Sequence, residues 1–387
     1  MGDTLPGGLR LRAARPADLD QISALLTDRG DADDAVDLRL VVEDPDAGYE
    51  ACAVVLDGDT VVSTATLLDE TLVLDGCELP AGQVEMVATA RSHEGRGLVR
   101  ALMGWAHDRS AERGHVLQVL HGIPYFYRQF GYEYAIPRPT SRPVVGDLPE
   151  GGAGLTVREA VAADVPELAR LQEADLAGVG LSLRRSAACW RWLVARPGST
   201  QWVVSSGDTI VGAGRDDGDQ LAELAGSPGA RLALLRHVRG LRPEIEVTGR
   251  DAADHLGPGS SQAEADMIRI PDPVALFERL RPVFGARLAR AGVADLEVVV
   301  SLFRSHLRFG YADGVAGPVS GGGVMQAPGV VGGAGIAPDQ LAAVLFGPHG
   351  IAGLSTQQPD VYPGRNRDVM TALFPPVDAD VRLFYLP

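Results

Sequence analysis

One stretch limits what this chain can become. Residues 84–132 read VEMVATARSHEGRGLVRALMGWAHDRSAERGHVLQVLHGIPYFYRQFGY. An apolar strand, Val84 to Thr89, runs into a loop rich in Arg and Gly, Arg91 to Gly97. That loop opens an amphipathic helix, Leu98 to about Arg113. A second apolar strand follows at Val116 to Leu120, then an aromatic segment at Tyr125 to Tyr132. A helix start presents unpaired N–H groups and the positive end of the helix dipole, so an anion such as a phosphate fits there. Gly95 and Gly97 let the backbone come close to that anion, and Arg96 adds charge.

Read in order, the flanking chain alternates strands and helices. Leu9 to Ala14 alternates like a strand, and Ala17 to Leu26 has helical periodicity. Residues 28–47 are acidic and turn-rich, with mixed helical character. Ala51 to Leu56 and Thr60 to Leu68 read as a hairpin turning at Asp57-Gly58-Asp59. The glycines of 151–154 read as a linker. Beyond them the start of the chain partly recurs. Leu9-x-Leu11-Arg12-x-Ala14-x-x-Ala17-Asp18 returns as Leu155-x-Val157-Arg158-x-Ala160-x-x-Ala163-Asp164, and Gly58-Asp59-Thr60 returns as Gly207-Asp208-Thr209 at nearly the same offset. Two matches in order favour a duplicated domain. The second copy has a turn and helix at Leu224 to Arg239 but no Arg-Gly pair and no aromatic segment, so it reads as structural rather than catalytic. A third unit starts after Pro271-Asp272-Pro273. Its expected elements are a helix over Val274 to Ala291, strands at Leu296 to Phe303 and His306 to Tyr311, and helices at Pro338 to Leu345 and Arg367 to Leu373, with a strand-like apolar tail, Val381 to Pro387.

The 84–132 stretch resembles the acyl-CoA-binding core of the GNAT N-acetyltransferase superfamily. Two motifs carry the resemblance. Glu94-Gly95-Arg96-Gly97-Leu98-Val99 aligns with that family's Q/R-x-x-G-x-G/A pyrophosphate loop, with Glu94 where Gln or Arg is usual and Val99 in place of a small residue. Tyr127-Arg128-Gln129-Phe130-Gly131-Tyr132 looks like its Y-x-x-F-G-[FY] segment. The whole arrangement, a tandem pair followed by a helix-strand-strand-helix unit, resembles the Eis-type acetyltransferases, whose third domain is sterol-carrier-protein-like. The fold class so implied is α/β (α+β). A catalytic GNAT domain is expected at 1–150, a degenerate second copy at 151–270 and a sterol-carrier-protein-like domain at 271–387.

The resemblance also implies chemistry. Acetyl-CoA is the expected cosubstrate. Val87, Ala88 and Thr89 would line its pantetheine arm. Gly95, Arg96, Gly97, Leu98, Val99 and Arg100 would hold its pyrophosphate, with Gly122 and Ile123 as a further contact. Tyr127 matches the tyrosine that protonates the departing thiolate; a phenol of pKa near ~10 suits a thiol near ~8.5. Tyr125 and Tyr132 are its rivals in sequence. Two groups compete for the role of base: the C-terminal carboxylate, here on Pro387, and Glu85 on the central strand. Glu94 would face solvent or pair with Arg91 or Arg96. Residues 28–47 are expected to help build the acceptor pocket.

The expected reaction is acetylation of a primary amine on a cationic small molecule, aminoglycoside- or polyamine-like, or on a lysine side chain. Another acyl-CoA donor, or a non-catalytic acyl-CoA or lipid-binding module, are the alternatives. A net charge of −16 argues against nucleic-acid or anionic-membrane partners and is compatible with a cationic acceptor. No basic and apolar leader and no run of ~18 apolar residues is visible. Cys52, Cys77 and Cys189 lie far apart and the eight histidines are scattered, so reduced cysteines, no metal and a cytoplasmic location are expected. The resemblance further implies a homo-oligomer, such as a hexamer.

Overall fold

A computed structural model describes residues 3–30, 32–149, 152, 154–248, 255–259 and 264–382. It is a mixed α/β protein built on three sheets. The first sheet runs antiparallel from the Arg10–Ala13 strand through Cys52–Asp57, Thr60–Leu74 and Cys77–Thr89. It then turns parallel to Leu117–Leu120. The 15-residue Thr60–Leu74 strand outruns the segment expected from sequence, because apolar alternation continues through Leu72 and Leu74, both fully buried. The Leu98–Glu112 helix packs on this sheet through Leu98, Leu102, Met103 and Ala106, a spacing that places them on one face.

The sheets do not divide where the linker lies. Ser141–Pro143 leaves the first sheet and pairs with Glu246–Thr248 at the edge of the second. In return Ala265–Arg269, from the end of the second copy, inserts between Leu117–Leu120 and Glu133–Pro137 of the first. Leu181–Leu183 and Ala379–Asp380 extend the first sheet at the far end of Thr60–Leu74. Strands therefore cross the expected boundaries at 150 and 270. The cores cross too. One apolar cluster joins Ile22, Leu38 and Cys52 to Leu171, Trp190 and Trp192. Another joins Leu79, Leu117 and Ile268 to Phe277, Phe284 and Phe374.

The internal repeat encodes one local device twice. Arg12 donates to Asp18 at 2.6 and 2.9 Å, while the Arg15 amide donates to the same carboxylate at 2.8 Å. Arg158 donates to Asp164 at 2.7 and 2.9 Å, with the Val161 amide at 2.8 Å. In each copy a strand is thus clamped to the start of the following helix. The Arg12 and Arg158 hydrogen bonds hold both carboxyls below the usual carboxylate range.

Both copies also carry a bulge at the equivalent pairing. Register shifts between Thr64 and Thr66 opposite Met86, whose φ is 51°. It shifts again between Ala213 and Arg215 opposite Glu223, whose φ is 60°. A bulge bends its strand and locally ends the regular ladder. In the second copy that place is filled by charge. Burial pushes the Glu223 carboxyl up, but Arg185 at 2.6 Å and Arg215 at 3.0 Å hold it well below the usual range.

The third unit is a six-stranded sheet around Leu296–Ser301 and His306–Ala312. Its first expected helix is two helices, Pro273–Arg279 and Arg281–Arg290, broken at Leu280. Pro282 explains the break: it has no N–H to continue the ladder and its ring collides with the preceding turn. Pro338–Gln340 is a 3₁₀ turn before the Leu341–Phe346 helix. Cys52 and Cys189 are buried, Cys77 is half-buried, and all three are free. Among the described residues no helix is long and apolar enough to cross a membrane.

Candidate active site

Parallel pairing between Cys77–Thr89 and Leu117–Leu120 ends at Gln83 and Val119. Past that point the bulge at Met86 turns the strand away from its neighbour, and a gap opens on the side of Val87 to Thr89. Two clefts enter this gap.

The first cleft, of about 400 Å³, is lined by Thr89, His93, Glu94, Gly95, Gly97, Leu98, Val99, Arg100, Phe126, Gln129 and Phe130. Gly97 caps the Leu98–Glu112 helix at φ 77°, and Gly95 has φ 73°. Both lie in the left-handed region that side chains disfavour, so the loop needs glycine for conformation, not for space. The loop and the first turn of the helix, whose initial amides have no partner within the helix, line the cleft, an arrangement suited to a phosphate. Arg100 donates to Gln129 at 3.0 Å and its guanidinium lies 5.3 Å from the Phe130 ring centre. The phosphate loop and the aromatic turn are thereby tied together.

The second cleft, of about 450 Å³, is lined by Leu26, Arg29, Gly30, Asp33, Asp34, Asp37, Val84, Glu85, Met86, Val87, Ala88, His121, Gly122, Ile123, Tyr127 and Arg196. Its wall is acidic. Desolvation raises the Glu85 carboxyl to about 7, against a 2.8 Å hydrogen bond from Gln83 that lowers it. Asp37 is raised to about 6 by burial, opposed by Arg196 at 3.1 Å. Tyr127 is pushed up to about 12 by burial and then by the Glu85 charge, so it holds its proton at neutral pH.

The sequence candidates divide between these clefts. Thr89, Gly95, Gly97, Leu98, Val99 and Arg100 line the first; Glu85, Val87, Ala88, Gly122, Ile123 and Tyr127 line the second. Arg96 lines neither; its guanidinium lies beside Gly7. Glu94 pairs with Arg29, not with Arg91 or Arg96. Arg29 ends the Leu19–Arg29 helix, so this ion pair bridges the two clefts. Gly122 has a packing reason as well: a β-carbon there would overlap the Tyr127 ring. The rival tyrosines part company. Tyr125 is 75% exposed, and Tyr132 is fully buried with its hydroxyl 3.2 Å from His107 Nε2. Pro387 lies outside the described residues.

Sequence reading missed His121, Asp266 and Arg196. His121 follows the Leu117–Leu120 strand, directly before Gly122 and Ile123, and no motif singles it out. Asp266 arrives on the exchanged strand, with Oδ1 3.4 Å from His121 Nδ1. Arg196 comes from the second copy. The acidity of residues 28–47 was the one available signal for the cleft wall, and Asp33, Asp34 and Asp37 come from that segment. Among the described residues no group of His, Cys, Asp and Glu is arranged to hold a metal ion.

Residues 10–135 match the family described as Acetyltransferase (GNAT) domain, so this part of the chain is a GNAT acetyltransferase domain. N-acetyltransferase Eis of Mycobacterium tuberculosis is 35% identical over 109 residues, which cover 25% of this chain and 26% of that protein. The match thus spans about a quarter of the relative's length. Over nearly the whole chain the fold is shared with two solved structures. A GCN5-related N-acetyltransferase from Anabaena variabilis has a TM-score of 0.69 at 16% identity, covering 96% of this chain and 97% of that one. Eis1 from Mycobacterium abscessus has a TM-score of 0.58 at 18% identity, covering 95% and 97%.

Proposed function

We propose that the protein is an acetyl-CoA-dependent N-acetyltransferase acting on a primary amine of a cationic small molecule or lysine side chain. The observation that carries this reading is the meeting of two unlike clefts at Val87 to Thr89. One is lined by helix-start amides, the other by carboxylates and a protonated tyrosine. The coenzyme phosphates sit on Gly95 to Arg100. The thioester reaches the gap beside Val87 and Ala88. The cationic amine enters past Asp33, Asp34 and Asp37. Glu85 draws in the ammonium and accepts a proton from it. The neutral amine then attacks the thioester carbonyl; the C–N bond forms and the C–S bond breaks. Tyr127 gives its proton to the leaving thiolate and regains one from the nitrogen, so the net products are the amide, the free thiol and one released proton.

The test is thiol release from acetyl-CoA with a panel of polyamines, aminoglycosides and a lysine peptide. Faster release from longer acyl-CoAs would change the donor. Acetyl-CoA binding without turnover on any amine would replace the enzyme with a binding module.

A further inference from the structure

We propose that Asp266 is a positioning residue that presents His121 as a second proton acceptor beside Glu85, so that the strand returning from the end of the second copy completes the catalytic site. This rests on the acetyltransferase reading above. Asp266 is buried, with its side chain 3% exposed, whereas the His121 side chain keeps 30% exposure and lines the acceptor cleft. Asp266 Oδ1 and His121 Nδ1 are both buried atoms without a hydrogen bond elsewhere, and they face each other at 3.4 Å. At that distance the pair is within ion-pair range but makes no hydrogen bond as it stands; presenting His121 in this way requires the imidazole to turn so that Nδ1 donates to Oδ1. A carboxylate there fixes the proton on Nδ1, because only an N–H satisfies both buried atoms. Nε2 is then the acceptor nitrogen of a ring that lines the cleft.

The other titratable groups facing His121 across the cleft are Glu85, Tyr127 and the three aspartates of the Ala32–Val42 helix; Arg29 and Arg196 are the cations there. Glu85 is close enough to feel the charge of both His121 and Asp266. An incoming ammonium therefore meets an acceptor unit of two groups lining one cleft, the Glu85 carboxylate and His121 Nε2. The proton leaves the ammonium for this unit, and the unit returns it to solvent after the C–N bond has formed.

The dyad is tested in the full-length protein by Asp266→Asn, which keeps shape and removes the charge, with a ¹⁵N spectrum of His121 in the wild type. Two acceptors separate a proton-transfer role from a structural one: an alkylamine such as cadaverine, protonated at neutral pH, and a hydrazide, already neutral. Asp266→Asn lowers kcat for the alkylamine about tenfold to a hundredfold, the lower end of general-base effects. The hydrazide rate and the KM for acetyl-CoA stay within about twofold, since neither needs that proton removed. Equal loss on both acceptors, or no loss on either, overturns the proposal. So does a wild-type spectrum showing the proton on Nε2. If the wild type acetylates no amine at all, the acetyltransferase reading fails, and the tautomer alone decides the dyad.

Discussion

Gly122 and Tyr127 are in such close contact that no side chain fits between them: a β-carbon on Gly122 would lie 2.8 Å from Cδ2 of Tyr127 and closer still to Cε2. The ring is walled on its other sides by Phe126, Phe130 and Tyr132, whose centres lie 5.1 to 6.4 Å away. Gly122→Ala therefore displaces the phenol from the gap rather than compressing it. The expected result is a kcat reduced about a hundredfold, as for a lost general acid, with acetyl-CoA affinity measured by calorimetry changed less than about threefold because the phosphate loop is untouched.

Tyr127→Phe removes only the hydroxyl. Steady-state kinetics should show kcat lowered about a hundredfold with coenzyme binding intact. Equal loss of binding and turnover would remove Tyr127 from the role of acid.

Glu85 sets the pH dependence. A base works unprotonated, so kcat/KM should rise with pH through about 7, and Glu85→Gln should displace that limb and leave only the part that His121 carries. Stability moves the other way. A carboxyl raised above its unfolded value of 4.5 favours the folded state fully below about 4.5, and this contribution is lost as pH rises through about 7. Thermal melts of Glu85→Gln should therefore gain on the wild type as pH rises from 5 to 8.

The Arg29–Glu94 pair puts a carboxylate in the first cleft, where the coenzyme phosphates are proposed to sit, and keeps it partly neutralised. Glu94→Gln should tighten acetyl-CoA binding severalfold at low salt, and the gain should shrink near ~0.15 M salt as the charges are screened. Arg29→Ala, which leaves Glu94 uncompensated, should weaken binding under the same titration.

The duplicated clamps predict a stability result. Asp18→Ala and Asp164→Ala each strand one arginine and one backbone amide, at a cost of about 2 kcal/mol in urea unfolding. Because both carboxyls are depressed by their arginines, the clamps' contribution should fade as pH drops through the acidic range.

How far the sequence could be read depends on how local each signal is. Gly97 at the helix start, Tyr127 before Phe130-Gly131, and the Arg12–Asp18 repeat each act within a few residues, so their spacing is visible in the string. The Pro282 break was equally local and still lay hidden under a continuous apolar periodicity. Asp266 and Arg196 act across the fold, and nothing beside them announces which sheet or cleft they will meet. Glu94 went to Arg29 rather than to Arg91 or Arg96 for the same reason: its partner lies on another element. The family resemblance offered Gly122 as a coenzyme contact, whereas its contact with the Tyr127 ring is a fact of packing that no spacing announces.

The exchanged strand also has a consequence for the order of synthesis. A chain leaves the ribosome N-terminus first, and domains generally fold as they emerge. Here the Leu117–Leu120 and Glu133–Pro137 strands must wait, with open edges, until Ala265–Arg269 has been made and can slot between them. The second copy folds in the interval and carries the missing strand back. A prematurely terminated chain thus lacks the strand that joins Leu117–Leu120 to Glu133–Pro137 beside the candidate site, however complete its first 150 residues are.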